Sequence, residues 1–424
     1  MPFREWLSAT KKPKQEVPYE ARKQRTFIEG HPELYPTKIL SIKNPWWERP
    51  NKHAAIFSRD PGSIAALVPV MEHLRKKGFA LAAVCDGRAE EMLRRKFSTK
   101  DAADDSLFAL EKSLGEPDVI LTDTSSEKGL EVNAAVQFPH TKTVLVEDYY
   151  RTAVSYLERL MAIRQTMPEV RLPDTICVMD EEAREIVVGR FPDLAGRVVI
   201  TGQPAFDRFI DKDKIAKERE SARRELGLRP NDKLVTFIGT SGQLEDMRAI
   251  APYMKEVAER YEKESGGHLV FAYRRHPRDH TLHPEYQRVI DEFRLTQSSR
   301  ANQLDHYGDY AMPTDAIAAA SDLVMTNWST IGLDSAFRRI PVLYLSDETI
   351  RPRPKNVLYP APPMKKGCGA EIFDIRRIPE FMPELLDPES ERVKTMKANM
   401  AGHYTTDGKA AERVAYEILK LTGR

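Results

Sequence analysis

Tyr273-Arg274-Arg275-His276-Pro277-Arg278 puts three guanidiniums and an imidazole within six positions at the end of an apolar run. Arginine forks match phosphate oxygens, and an imidazole donates to them as well. A solvated basic loop has the same letters. Gly239-Thr240-Ser241-Gly242 sits between a strand pattern and a helix pattern, where backbone N–H groups and two hydroxyls can hold a diphosphate at the positive end of the helix. No Lys-Ser or Lys-Thr follows, so it is not a Walker A loop. A third segment runs from Asp322 through Thr326, Ser329 and Thr330 to Gly332 and Asp334. Ser329 and Thr330 fall in the N-cap zone of the next helix, and capping alone would explain them. Asp334, one turn later on the face of Thr330, occupies a place where carboxylates of Rossmann-like halves accept ribose hydroxyls. Acids also recur just after apolar runs, at Asp60, Asp123, Glu147, Asp148 and Asp180. If those runs are parallel strands, the acids line one rim of a sheet.

The elements that must position these groups alternate strand and helix. His53–Ser58 reads as a strand. Ile64, Leu67, Val68, Met71 and Leu74 then follow a helical spacing closed by Gly78, with Pro69 predicting a kink or a late start. Phe79–Cys85 is a continuous apolar run, as in strands covered on both faces. Further strands are expected at 119–122, 143–146, 176–179 and 198–201, with an amphipathic helix over 152–165. The highly charged stretch 209–226, capped by Gly227, reads as a helix bridging to a second domain. Strands at 233–238, 268–273, 323–326 and 342–345, with helices at 244–263, 314–320 and 331–338, restart the alternation there. The pattern predicts an α/β fold of two doubly wound, Rossmann-like parallel-sheet domains.

The 424 residues include 65 Lys and Arg against 64 Asp and Glu, a net charge of +1 that gives no global attraction to nucleic acid or anionic membrane. No apolar run approaches a spanning helix and the N-terminus has no signal-peptide core, so a soluble, cytoplasmic protein is expected. The three cysteines, Cys85, Cys177 and Cys368, lack metal or disulfide spacing, and the ten histidines include no HExxH, so no metal site is expected. The first 50 residues hold seven of the 29 prolines and little periodicity. They read as an extended arm, with Pro45, Trp46 and Trp47 docking on the body. An arm that binds a partner or touches a membrane is the functional alternative.

Several of these stretches together carry a resemblance. They are Gly62-Ser63, Thr201-Gly202-Gln203-Pro204-Ala205-Phe206-Asp207, Arg275-His276-Pro277, Ser329 to Asp334 with Ile340-Pro341-Val342, and Asp407-Gly408-Lys409-Ala410-Ala411-Glu412-Arg413. In order and spacing, over residues 54–424, they resemble nucleotide-sugar enzymes of the GT-B fold. Three groups are the nearest in pattern: the CDP-glycerol glycerophosphotransferases with the capsule-polysaccharide transferases, the bacterial sialyltransferases with an HP motif, and the non-hydrolysing UDP-N-acetylglucosamine 2-epimerases. The resemblance implies two domains facing across a cleft, the donor nucleotide on the C-terminal one, the acceptor on the N-terminal one, and no bound metal. His276 maps onto the histidine that contacts the donor phosphate, and Ser329 and Thr330 onto a phosphate-binding Ser/Thr pair. The catalytic base of the HP-motif transferases lies in an acid-acid-glycine motif, which Glu147-Asp148-Tyr149 matches at the two acids, with tyrosine in place of glycine. The epimerase signature His-Glu-Gly-Leu-Arg retains only Glu147 and Arg151 here, so transfer ranks above epimerisation.

These readings combine into a set of expectations. The domains are an arm over 1–50, an acceptor domain over 51–208, a bridge over 209–232, a donor domain over 233–395 and a helical segment over 396–424. A sugar or polyol phosphate moves from a nucleotide-activated donor to an acceptor hydroxyl, in surface polysaccharide or glycoconjugate synthesis. The alternatives are an epimerase-like enzyme and a GT-B-like binding protein without catalysis. Asp148 is the first choice for the base, with Asp60 and Glu147 behind it. Arg275, His276, Ser329, Thr330 and the N–H groups of Thr240 and Ser241 stabilise the leaving nucleotide, and Asp334 orients the ribose or donor sugar. No cofactor beyond the donor and no nucleic-acid partner are expected, and peripheral contact with the inner membrane face stays open.

Overall fold

Residues 38–42, 52–59, 61–85, 87–101, 117–124, 130–239, 244–274, 288–289, 312–348 and 358–423 are described by the structure, a computed structural model. The chain divides into two compact units, one of residues 1–207 and 407–424, the other of residues 208–406.

The first unit is wound around eight strands: β1 (Lys38–Ile42), β2 (Lys52–Phe57), β3 (Phe79–Cys85), β4 (Thr99–Asp101), β5 (Val119–Asp123), β6 (Lys142–Val146), β7 (Thr175–Val178) and β8 (Val198–Ile200). Their order across the sheet is β4-β1-β3-β2-β5-β6-β7-β8. From β3 to β8 every pairing is parallel. β1 runs antiparallel between β3 and β4. That strand lies inside the stretch expected to be a separate arm, and it makes the sheet mixed rather than purely parallel. Trp46 and Trp47 lie outside the described residues.

The continuous apolar runs of β2 and β3 have a direct reason. Ala54, Ile56, Leu81 and Ala83 face one core, shared with α1 (Pro61–Lys76) and α2 (Gly87–Lys96), while Ala55, Phe57, Ala82 and Val84 face a second with α3 (Leu130–Gln137). A strand covered on both faces cannot afford an alternating polar row. α1 buries Ile64, Leu67, Val70, Met71 and Leu74 completely, each worth about 1.5–3 kcal/mol. Its end is set by Gly78, whose φ of 85° and N–H bond to the Arg75 carbonyl close the last turn. Pro69 does not delay the start expected from sequence, because the helix begins at Pro61 and runs through it. Two further helices, α4 (Thr152–Arg164) and α5 (Glu181–Arg190), complete this stretch of the unit.

The second unit opens with α6 (Lys212–Glu225) and holds a five-stranded, all-parallel sheet. Its strands β9 (Lys233–Ile238), β10 (Leu269–Arg274), β11 (Leu323–Thr326), β12 (Val342–Leu345) and β13 (Ala370–Ile372) take the order β10-β9-β11-β12-β13. Around it lie α7 (Leu244–Ser265), α8 (Thr314–Ala320), α9 (Ile331–Phe337), α10 (Pro362–Lys365), α11 (Ile378–Leu386) and α12 (Glu391–His403). α6, expected as a bridge, is part of this unit's wall. Ala222 and Leu226 pack with Leu234, Ala272 and Ile317, and Arg219 and Arg223 both reach the Asp322 carboxylate at 2.9 Å. The chain returns to the first unit at Asp407, where α13 (Ala410–Leu421) lays Ala411, Val414, Ala415 and Ile418 into the core beside α1.

Candidate active site

The carboxyl ends of β5, β6 and β7 bring together the acids of the first unit. Asp123 is the last residue of β5 and is fully buried. Asp180 follows β7 as the N-cap of α5, accepting from the Ala183 N–H at 3.0 Å and from the Tyr150 hydroxyl at 2.6 Å. Glu147 and Asp148 follow β6. Asp60 lies outside the described residues.

The two neighbours Glu147 and Asp148 have different environments. Glu147 is 2% exposed; its Oε1 accepts from the Ala153 N–H at 3.2 Å, and its Oε2 is buried with no hydrogen-bond partner. Burial, helped by the negative charges of Asp180 and Asp148 and opposed by the Ala153 N–H, pushes the Glu147 carboxyl up to about 8. It is therefore mostly protonated at neutral pH. Asp148 is half-buried beside the first turn of α1. A methyl group on Gly62 would lie 3.8 and 3.9 Å from its two oxygens, in ordinary contact, which places the carboxylate against the start of that helix. Of the two acids after β6, Asp148 is the more exposed.

The backbone carrying Asp148 is tied at successive groups. The Glu147 N–H donates to the Cys177 carbonyl at 2.9 Å, and the Asp148 N–H to Thr124 Oγ1 at 2.8 Å. Thr124 Oγ1 in turn is hydrogen-bonded to Thr152 Oγ1 at 2.6 Å. The carbonyls of Glu147 and Asp148 both accept from Gln203 Nε2 at 2.9 Å. Arg151 closes the turn in the left-handed region at φ 71°. Gln203 was not singled out as a site residue from sequence. A buried amide beside a glycine in a loop after a strand was the available signal, but only the fold reveals which carbonyls it meets.

In the second unit, β11 ends at Thr326 and α9 begins at Ile331. Ser329 Oγ accepts from the Ile331 N–H at 3.4 Å, a long capping bond, whereas Thr330 makes no side-chain cap and is exposed. Gly332 is required by packing, since any side chain there would overlap the hydroxyl of the buried Tyr344. Asp334 is 14% exposed at its side chain, and both its oxygens accept from Arg208 Nη2, at 3.0 and 2.8 Å. Arg208 Nη1 also holds Asp315 at 2.9 Å. Burial opposes the Arg208 charge, but Asp334 and Asp315 outweigh it and hold the guanidinium above its ordinary pKa. Asp334 is thus engaged within the protein, and this pairing explains its position without a ribose.

Within the basic cluster, Arg274 is buried and donates through Nη2 to the Met312 carbonyl at 2.6 Å, so it points into the unit. Arg275 and His276, like Thr240 and Ser241, lie outside the described residues. Among the described residues, no group of three or more His, Cys, Asp or Glu side chains could hold a metal ion. No helix among them is long and apolar enough to cross a membrane. The three cysteines are buried thiols.

Residues 150–420 match the family of CDP-glycerol:poly(glycerophosphate) glycerophosphotransferases. The matched stretch contains His276, Ser329, Thr330, Asp334 and Arg413, and it begins two residues after Asp148. No curated protein matches the chain. Among solved structures, the chain is similar to the UDP-GlcNAc 2-epimerase of Neisseria meningitidis bound to UDP-GlcNAc, with a TM-score of 0.62 at 16% identity over 87% of this chain and 100% of that one. It is similar to S. aureus MnaA in complex with UDP, with a TM-score of 0.58 at 15% identity over 88% and 97%. It is also similar to the wall teichoic acid polymerase TagF, with a TM-score of 0.55 at 12% identity over 87% and 89%. At such identities the likenesses bear on the fold, which is of the GT-B class expected from the motifs.

Proposed function

As a member of the CDP-glycerol:poly(glycerophosphate) glycerophosphotransferase family, this chain is a transferase that moves a sugar or polyol phosphate from a nucleotide-activated donor to an acceptor hydroxyl, and we propose that its donor is CDP-glycerol and its base Asp148. The acceptor is then the terminal hydroxyl of a glycerol phosphate polymer destined for the cell surface. The acceptor oxygen attacks the phosphorus that carries glycerol. A new O–P bond forms, the bond from that phosphorus to the bridging oxygen breaks, and CMP leaves with the electron pair. The acceptor proton passes to Asp148.

The observation that carries the role of Asp148 is the contrast with its neighbour. Glu147 is buried and held neutral, while Asp148 stands half-buried at the end of β6 beside Gly62. Charge building up on the departing CMP needs donors and cations. That role falls to His276 and Arg275, with Ser329, Thr330 and the N–H groups of Thr240 and Ser241. The exposed Thr330 hydroxyl, unused by helix capping, supports its share of this role. The epimerase alternative rests on fold likeness, whereas the family match is to transferases. Contact with a membrane surface remains part of this proposal only as the place where a growing surface polymer would be met.

The test is to incubate the protein with CDP-glycerol and a glycerol phosphate oligomer and follow CMP release together with lengthening of the oligomer. Coupled appearance of both supports the reading. Turnover restricted to UDP-linked donors, or epimerisation of UDP-N-acetylglucosamine without transfer, overturns it.

A further inference from the structure

Two motifs take no part in the chemistry above, Thr201–Asp207 and Asp407–Arg413, yet within the first unit they are bonded to each other. The Asp207 carboxylate accepts from the N–H groups of Ala410 and Ala411 at 3.0 and 2.8 Å, capping the start of α13. Arg413 Nε donates to the Thr201 carbonyl at 2.7 Å, and its two terminal nitrogens fork onto Asp407 at 2.7 and 3.1 Å. Gly202 lies between, at φ 81°, where a Cβ would come within 3.1 Å of Ala410 Cβ and 3.2 Å of Arg413 Nη2. A glycine is needed there for the left-handed backbone and for the close approach together.

This clasp fixes the next residue, Gln203, which is 5% exposed. Its amide nitrogen has two protons and spends them on the carbonyls of Glu147 and Asp148. We propose that Gln203 is a positioning residue for the transfer reaction, holding the two peptide planes on either side of the Asp148 side chain, with Asp207, Arg413 and the start of α13 as its support. The inference rests on the reading of Asp148 as the base. With Thr124 holding the Asp148 N–H from the other side, the loop after β6 is tied from both β5 and the C-terminal segment. Without the amide, two carbonyls lose their donor in a water-poor site, and the loop must shift to regain one. A displacement of about 1 Å at a reacting group can cost on the order of 10²-fold in rate.

The experiment compares Gln203→Leu, which removes both donors at similar volume, with Gln203→Glu, which can donate only when protonated. Four quantities are read: kcat and KM for CMP release from CDP-glycerol with the oligomer acceptor, CMP affinity by calorimetry, and amide hydrogen exchange over residues 144–156. For Gln203→Leu, kcat should fall about 10–10²-fold with CMP affinity kept, and exchange at 147–153 should quicken while β5 stays protected. Gln203→Glu should recover towards wild type as pH falls, with protection at 147–153 returning alongside it, whereas a purely space-filling role would leave exchange there unchanged. Unchanged exchange at 147–153, or a normal kcat in Gln203→Leu while Asp148→Asn is inactive, overturns the positioning role. If Asp148→Asn turns over normally, the general-base reading itself fails, and the exchange result still reports separately whether Gln203 holds the loop. Should Gln203→Leu not fold, Gln203→Glu read across pH decides the same question.

Discussion

Replacing Glu147 by glutamine should make the first unit less sensitive to alkaline pH while leaving turnover at pH 7 in place. The carboxyl is 2% exposed, one oxygen has no partner, and two acids stand near it; together these raise its pKa from 4.5 to about 8. Between those values the folded chain keeps a proton that the unfolded chain has released. Stability therefore falls as pH rises through this window and is fully present only below about 4.5. At about 1.36 kcal/mol per pH unit, the move from 4.5 to about 8 sets a ceiling of roughly 5 kcal/mol. Glutamine cannot ionise, so its effect on stability is one constant offset at every pH. The assay is urea denaturation at pH 5, 6, 7, 8 and 9, read by hydrogen exchange in peptides of the first unit, for wild type and Glu147→Gln. The gap between the two should move in favour of the variant by several kcal/mol from pH 5 to pH 9. A gap that stays flat across the series would refute the buried neutral carboxyl. Loss of turnover by 10²-fold or more in a folded Glu147→Gln would transfer the proton chemistry to Glu147.

The remaining expectations follow from the same site. Asp148→Asn should lower turnover by roughly 10²–10⁴ and leave CMP affinity unchanged by calorimetry, whereas His276→Ala should weaken CMP binding by about 1.5–3 kcal/mol with a parallel loss of activity; the opposite assignment of effects would exchange their roles. EDTA should leave CMP release from CDP-glycerol intact, and recovery of a lost activity by added divalent cation would contradict a phosphate site built from side chains and backbone alone. Arg208→Ala should destabilise the second unit by roughly 1.5–3 kcal/mol in urea denaturation because Asp334 loses both of its bonds to the fork. Asp334→Asn should leave nucleotide affinity near wild type, and a tenfold loss without a change in stability would restore it as a ribose ligand.

The sheets were legible because local pattern and tertiary role agree in them. Phe79–Cys85 could be recognised as a strand covered on both faces because its neighbours on the two sides, α1 and α3, leave no wet face to encode. β1 was not legible. Its partner β3 lies about forty residues later, and a five-residue segment, Lys-Ile-Leu-Ser-Ile, has too short an alternation to stand out from a proline-rich stretch. α3 was missed for a related reason. It buries Glu131, Asn133 and Gln137 along with its apolar residues, so no polar face marks it as amphipathic. Pro69 misled in the other direction, since burial along α1 outweighs one missing N–H, and the helix runs from Pro61 past it.

At the site, sequence supplied the residue types and the fold decided among them. Glu147 and Asp148 are adjacent acids after the same strand, and no pattern of letters says that one is sealed and the other approachable. That difference comes from the burial of Glu147, to which the charge of Asp180 adds and which the Ala153 N–H only partly offsets, with those groups brought to β6 from separate elements. Asp334 was read as a ribose ligand from its position after a strand in a Rossmann-like half, but the same position serves an ion pair equally well. The partner that the fold gives it is Arg208, 126 residues earlier and at the point where the chain enters the second unit. The Gln203 clasp follows the same logic at longer range. Thr201–Asp207 and Asp407–Arg413 are separated by some two hundred residues, yet the Asp207 cap, the Arg413 bond to the Thr201 carbonyl and the close approach at Gly202 each need both motifs. Motifs of this kind can look catalytic because they are polar and sit beside turns. Their bonds here run to backbone groups and to each other, which assigns them to holding the acid loop rather than to touching what it acts on.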